Sequence, residues 1–132
     1  MKKAITQEDF CGCAVACVAF VLGISYQSAL SLFANGQRRA IIRGFYCRDI
    51  VRALNKVSKN KFVYRKVKNS NFYKNNTIVF IARSKKYPLG HFLVRHRNLW
   101  MDPFINFPHI INVRSGFRKR LPGRPIYEIS VL

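Results

Sequence analysis

Apolar residues crowd together between Cys13 and Ile24 and then thin out into repeating patterns. Residues 13–23 are apolar on nearly every side, which predicts a buried helix ending near Gly23. Ser25 suits the N-cap of a second helix, in which Tyr26, Ala29, Leu30 and Phe33 follow helical spacing until Asn35-Gly36 stops it. Cys47, Ile50, Val51 and Leu54 repeat that spacing and predict a third helix.

Beyond Lys61 the pattern shortens. FVYRKV (62–67), TIVFIA (77–82), HFLVR (91–95), LWMD (99–102), IINV (110–113) and IYEISV (126–131) read as strands. Stretches 83–90 and 114–125 read as basic loops. Helices followed by antiparallel strands give an α+β class. With no repeat, linker or low-complexity tract, residues 1–132 are expected to form one domain.

Composition sharpens this picture. Hydrophobic residues make up 49% of the chain, enough for a core and against disorder. Lys and Arg number 24 against 5 Asp and Glu, a formal charge of +19. Such a chain attracts polyanions and acidic protein surfaces. A solvated basic face with no specific partner fits the charge equally well. No signal peptide is visible, and the run from Ala14 to Ile24 is too short to span a bilayer, so no membrane insertion is expected.

The four cysteines carry the chemistry. Cys11-x-Cys13 is too tight for a zinc ligand pair, the histidines form no spaced pair, and no cofactor or metal is expected. A disulfide across the single residue between Cys11 and Cys13 would be strained. Cys17, one helical turn after Cys13, and Cys47 read as small core residues. Cys13 stands where a helix begins, and a thiol at such a position is favoured as a thiolate by the helix dipole. A nucleophile also needs a base and an orienting group.

His91 begins the HFLVR strand and Asp102 ends LWMD. If the hairpin closes around His96-Arg97, His91 sits opposite Asp102, and directly opposed residues share a face. Moving the turn by one residue pairs His91 with Phe104 instead. His96, in the predicted turn, and His109, in the loop after Pro108, read as surface residues.

A cysteine on the first helix, with His and Asp on later strands, resembles the chain order of papain-like cysteine peptidases. The local sequence is similar to the bacteriocin-processing, double-glycine leader peptidase branch and its small relatives. Gln7 stands six residues before Cys13, and the helix runs through Leu22-Gly23-Ile24-Ser25-Tyr26. His91-Phe92 and Asp102-Pro103 match the later signatures. The family usually has Asp-Cys-Gly at the nucleophile, where this chain has Gly12-Cys13-Ala14. Cys13 is preferred over Cys11 because the Gln spacing and the downstream helix agree.

The resemblance implies a papain-like fold, with Cys13 as nucleophile, His91 as general base, Asp102 as its orienting carboxylate and Gln7 as an oxyanion donor. It also implies a cysteine endopeptidase acting on a protein substrate. A free-standing, very basic unit looks like a bacterial toxin or effector domain. It would cleave an acidic or nucleic-acid-associated target in a reducing cytosol, after delivery into another cell, and be held in check by an acidic immunity protein. Alternatives are a leader-processing peptidase, a glutamine deamidase, a basic domain that binds or acts on nucleic acid, and, last, an inactive binding module. For nucleic acid, Phe45, Tyr46, Tyr64, Phe72, Tyr73 and Tyr87 would supply stacking surfaces.

Overall fold

The computed structural model describes residues 2–68 and 72–132. Four helices come first: α1 (Cys13–Leu22), α2 (Tyr26–Leu30), α3 (Gly36–Ile42) and α4 (Cys47–Val57). Six strands follow: β1 (Phe62–Lys66), β2 (Ile78–Ile81), β3 (His91–His96), β4 (Leu99–Asp102), β5 (Gly116–Arg118) and β6 (Pro125–Val131). They form one antiparallel sheet in the order β1-β6-β2-β3-β4-β5. The α+β class expected from the patterning is the class observed.

α1 is apolar all round because it is covered all round. Ala14 through Phe20 are buried, and the helix packs on β3, α2 and α4. Gly23 ends it in the left-handed region, φ 70°, where a residue without a side chain costs least. Ser25 caps α2 by accepting the Ser28 N–H at 3.1 Å. α2 ends at Leu30, short of the expected stop at Asn35-Gly36, which instead begins the next helix. Asn35, at φ 53°, caps the unanticipated α3, and a Cβ on buried Gly36 would strike the Leu30 carbonyl. Asp49 joins α3 to α4, accepting from both Arg39 nitrogens at 2.6 and 3.3 Å and from the Tyr46 N–H at 2.7 Å.

Four further sequence expectations need correction. IINV (110–113) is no strand: Ile110 and Ile111 are 67% and 80% exposed, and Asn112 sits at φ 63°. The place beside β4 is taken by β5, from within a stretch read as a basic loop, because Phe117 can bury against Phe20 at 6.1 Å. Strand propensity alone cannot overcome the lack of a partner edge.

The β3–β4 hairpin turns one residue later than expected. Val94 pairs with Met101, Arg95 with Trp100 and His96 with Leu99, and Arg97 takes up φ 57° in the turn. His91 therefore lies two residues beyond the position opposite Asp102. A displacement of two keeps a side chain on the same face, since strand side chains alternate with period two.

His96 is not a surface residue. It is buried edge-on to Phe20 at 5.4 Å and beside Phe117 at 5.7 Å, and neither ring nitrogen has a hydrogen-bond partner. Burial lowers its pKa below the ordinary 6.5, and Arg97 and Lys2 push the same way. The unfolded chain then binds a proton that the folded chain refuses, so stability should rise with pH through the window just below 6.5. His96→Phe, which keeps an aromatic ring among aromatics, is expected to remove that slope. Urea unfolding at pH 5 and pH 7 measures it.

Candidate active site

Cys13 is the first residue of α1 and is partly exposed. The residue before it must be small. A Cβ on Gly12 would meet the Tyr26 hydroxyl, which donates to Asp9 Oδ2 at 2.8 Å. As the first residue of the helix, Cys13 has a backbone N–H with no acceptor in the preceding turn.

His91 opens β3 and is buried. Its Nε2 donates to Asp102 Oδ1 at 2.7 Å. Cys13 lines the same cleft, and with Nε2 engaged by Asp102, Nδ1 is the ring nitrogen left to face the thiol. Tyr87 stacks on the imidazole at 5.0 Å with planes 12° apart and closes it off from solvent. Burial by itself would lower the His91 pKa. The hydrogen bond to Asp102 and the neighbouring Cys13 thiol, with the charges on both, outweigh it and raise the pKa to about 9.

Asp102 is fully buried at the end of β4. Its Oδ1 also accepts the Phe104 N–H at 2.9 Å. Burial would raise its pKa, but the hydrogen bond from His91, with the His91 charge, the Phe104 N–H and the Arg118 charge, holds it below the ordinary carboxylate value. The diagonal offset between β3 and β4 is spanned by the length of the imidazole side chain, which joins neighbours about 7–8 Å apart along the sheet.

Gln7 lies in the wall of the same cleft and is buried. Its backbone N–H donates to Pro103 O at 3.2 Å, which ties the N-terminal segment to the residue after Asp102. Its side-chain Nε2 donates to Asp9 O at 2.9 Å and to Phe10 O at 2.8 Å, so both amide hydrogens are engaged. Its Oε1 is buried without a partner.

Cys13, His91 and Gln7 thus line one cleft, with Asp102 bonded to the far nitrogen of His91. Cys11 also lines the cleft, but its thiol is buried, and burial together with Cys13 pushes its pKa up. Cys17 is wholly buried, and burial raises Cys47 to about 11. His109 is exposed. Among the described residues, all four cysteines are free thiols, and no three His, Cys, Asp or Glu side chains cluster as metal ligands would.

The cleft has a volume of about 240 Å³ and apolar walls that include Phe10, Leu89, Phe104 and Phe107. A second hollow of about 260 Å³ adjoins it through Phe45, Phe80 and Phe92 and is edged by Tyr46, Arg48 and Tyr64. Two site residues had no signal in the sequence reading. Arg118 is one cation among many in its stretch of the sequence, and Tyr87, one of the candidate stacking aromatics, lies against His91 instead. Of the other aromatics in that group, Phe45 is buried, whereas Tyr46, Tyr64 and Phe72 are exposed. Among the described residues, no helix is long and apolar enough to cross a membrane.

No protein-family model matches the chain. No curated protein matches it either. Among solved structures, it is similar to the crystal structure of the peptidase domain of Streptococcus ComA, a bi-functional ABC transporter involved in a quorum-sensing pathway. The identity is 21% and the TM-score 0.59, over 99% of this chain and 98% of that one. The likeness shows the fold: helices and antiparallel sheet are arranged as in that peptidase domain.

Proposed function

We propose that the chain is a cysteine peptidase in which Cys13 attacks, His91 shuttles the proton and Asp102 orients the imidazole. The observation that carries this reading is the buried His91 imidazole, which lines an apolar cleft together with Cys13 and meets Asp102 Oδ1 through Nε2 at 2.7 Å. In the first half-reaction the Cys13 sulfur bonds to a peptide carbonyl carbon. The C–N bond then breaks, and the His91 proton leaves with the amine. In the second half-reaction water gives its proton to His91, its oxygen attacks the thioester, and the sulfur departs.

The backbone N–H of Cys13 is one donor for the oxyanion. Gln7 is the other, and its amide must release Asp9 O or Phe10 O to serve. The same array suits a glutamine side-chain amide, so deamidation is a variant of this chemistry.

The substrate in this reading is a polypeptide with an apolar segment for the cleft and acidic surroundings. At +19, the enzyme favours acidic proteins, nucleic-acid-associated proteins or an acidic inhibitor as partners. Its free thiols suit work in a reducing cytosol, as a toxin or effector domain of a single unit over residues 1–132. The neighbour's place in a transporter supports a second reading, in which the peptidase trims a peptide precursor.

Intact-mass labelling with iodoacetamide tests the site without knowledge of the substrate. One thiol is expected to react fast well below pH 8, where an ordinary thiol with pKa of about 8.5 reacts slowly. The fast site should vanish in Cys13→Ala and persist in Cys11→Ala. Slow, uniform labelling of all four thiols would sink the peptidase reading.

A further inference from the structure

We propose that Arg118 is a positioning residue for the site: it occupies the outer oxygen of Asp102 and limits how tightly that carboxylate holds the His91 proton. The inference rests on the peptidase reading above and adds a residue to its machinery.

The two oxygens of Asp102 differ. Oδ1 is taken by His91 and the Phe104 N–H. Oδ2 is buried with no hydrogen bond, and Arg118 Nε, itself without a hydrogen bond, lies 3.4 Å from it. The contact is long for a hydrogen bond and close for two charges. The Arg118 side chain is only 23% exposed, so solvent screens the pair incompletely.

The sheet explains how the arginine arrives. Gly116 of β5 pairs with Asp102, and Arg118 pairs with Trp100. Arg118 therefore stands diagonal to Asp102 on the same face, as His91 does from the other side. Gly116, directly beside the carboxylate, has no side chain to stand between them.

The charged and titratable groups around this centre come from α1, the loop before β3 and β5. Cys13 meets His91 from α1, and Cys17 senses Asp102 from below it on the same helix. Tyr87, from the loop before β3, stacks on His91 and senses both Asp102 and Arg118. Lys86 sits 5.4 Å from the Tyr87 ring, on a side chain exposed to solvent. Arg118 supplies the cation in contact with the carboxylate.

A fixed positive charge on Asp102 makes the carboxylate a weaker base toward the imidazolium. The proton on His91 is then firm enough to be held and loose enough to be given to the leaving amine. Without Arg118, the buried carboxylate keeps its full pull on His91. The imidazolium becomes too stable, and the base needed for thioester hydrolysis is regenerated slowly.

The test is an NMR titration of the His91 ring on the Cys13→Ala background, where no thiol shares the proton. Arg118→Met is expected to raise the His91 titration by about half a unit or more, and Arg118→Lys to stay near the parent. An Arg118→Met titration that is unchanged or lowered overturns the proposal, because a merely structural arginine would loosen the His91–Asp102 bond and lower the value. Should Arg118→Met fail to fold, the same reading on Arg118→Gln decides. The titration needs no substrate. A raised titration in a protein that cleaves nothing supports Arg118's role and places the failure in the peptidase reading alone.

Discussion

Cys13→Ala is expected to abolish peptide-bond cleavage and to leave the fold intact. Cys13 is partly exposed at the first position of α1, so removing its sulfur opens no core cavity, and alanine favours the helix it begins. The chemical loss is far larger. Removing the nucleophile from an acyl-transfer site costs on the order of 10⁶-fold, because the remaining groups cannot act without it. The check is a proteome-derived peptide library, incubated with each variant and read by mass spectrometry for new termini. Cys11→Ala serves as the comparison and should cleave like wild type, since the imidazole turns to Cys13. Full cleavage by Cys13→Ala would remove the mechanism.

The second large effect belongs to His91. His91→Gln keeps a polar side chain at the site but removes both general base and general acid, and cleavage is expected to fall by about 10²- to 10⁴-fold. The pH profile carries the more specific expectation. Acylation needs His91 protonated to release the amine. With the His91 pKa raised to about 9, wild-type kcat/KM should hold through neutral pH and fall as pH rises through about 9. A basic limb near the ordinary value of 6.5 would mean that Asp102 and Cys13 do not support the imidazolium. Whatever activity His91→Gln retains should lack the limb near 9.

His91 and Asp102 also show what kind of information a sequence holds. The hairpin turns one residue later than the sequence suggests, and the direct His91–Asp102 pairing does not form. The contact forms all the same, at 2.7 Å, because moving a hairpin turn by one residue slides the strands by two and preserves the face. Face was therefore legible where register was not. His96 shows the opposite case: its place near a turn suggested solvent, yet aromatic rings from α1 and β5 cover it.

The chain by itself determined the features that arise within one element. The all-apolar α1 with Cys13 at its start and Gly23 at its end, the Ser25 cap, the α4 spacing and most of the strands follow from local periodicity and backbone preference. The α+β order followed as well, since helices and strands occupy separate parts of the chain. Tertiary structure alone decided the rest. Asn35-Gly36 opens α3, with Gly36 packed too close to Leu30 to carry a side chain, and Ile110–Val113 stays outside the sheet because β5 holds the edge of β4. Arg118 meets Asp102 because a three-residue strand, too short to leave a pattern, places it one diagonal step away. Periodicity reports which side of an element is buried. Which distant charge arrives at a buried carboxylate depends on how strands far apart in the chain come to lie side by side.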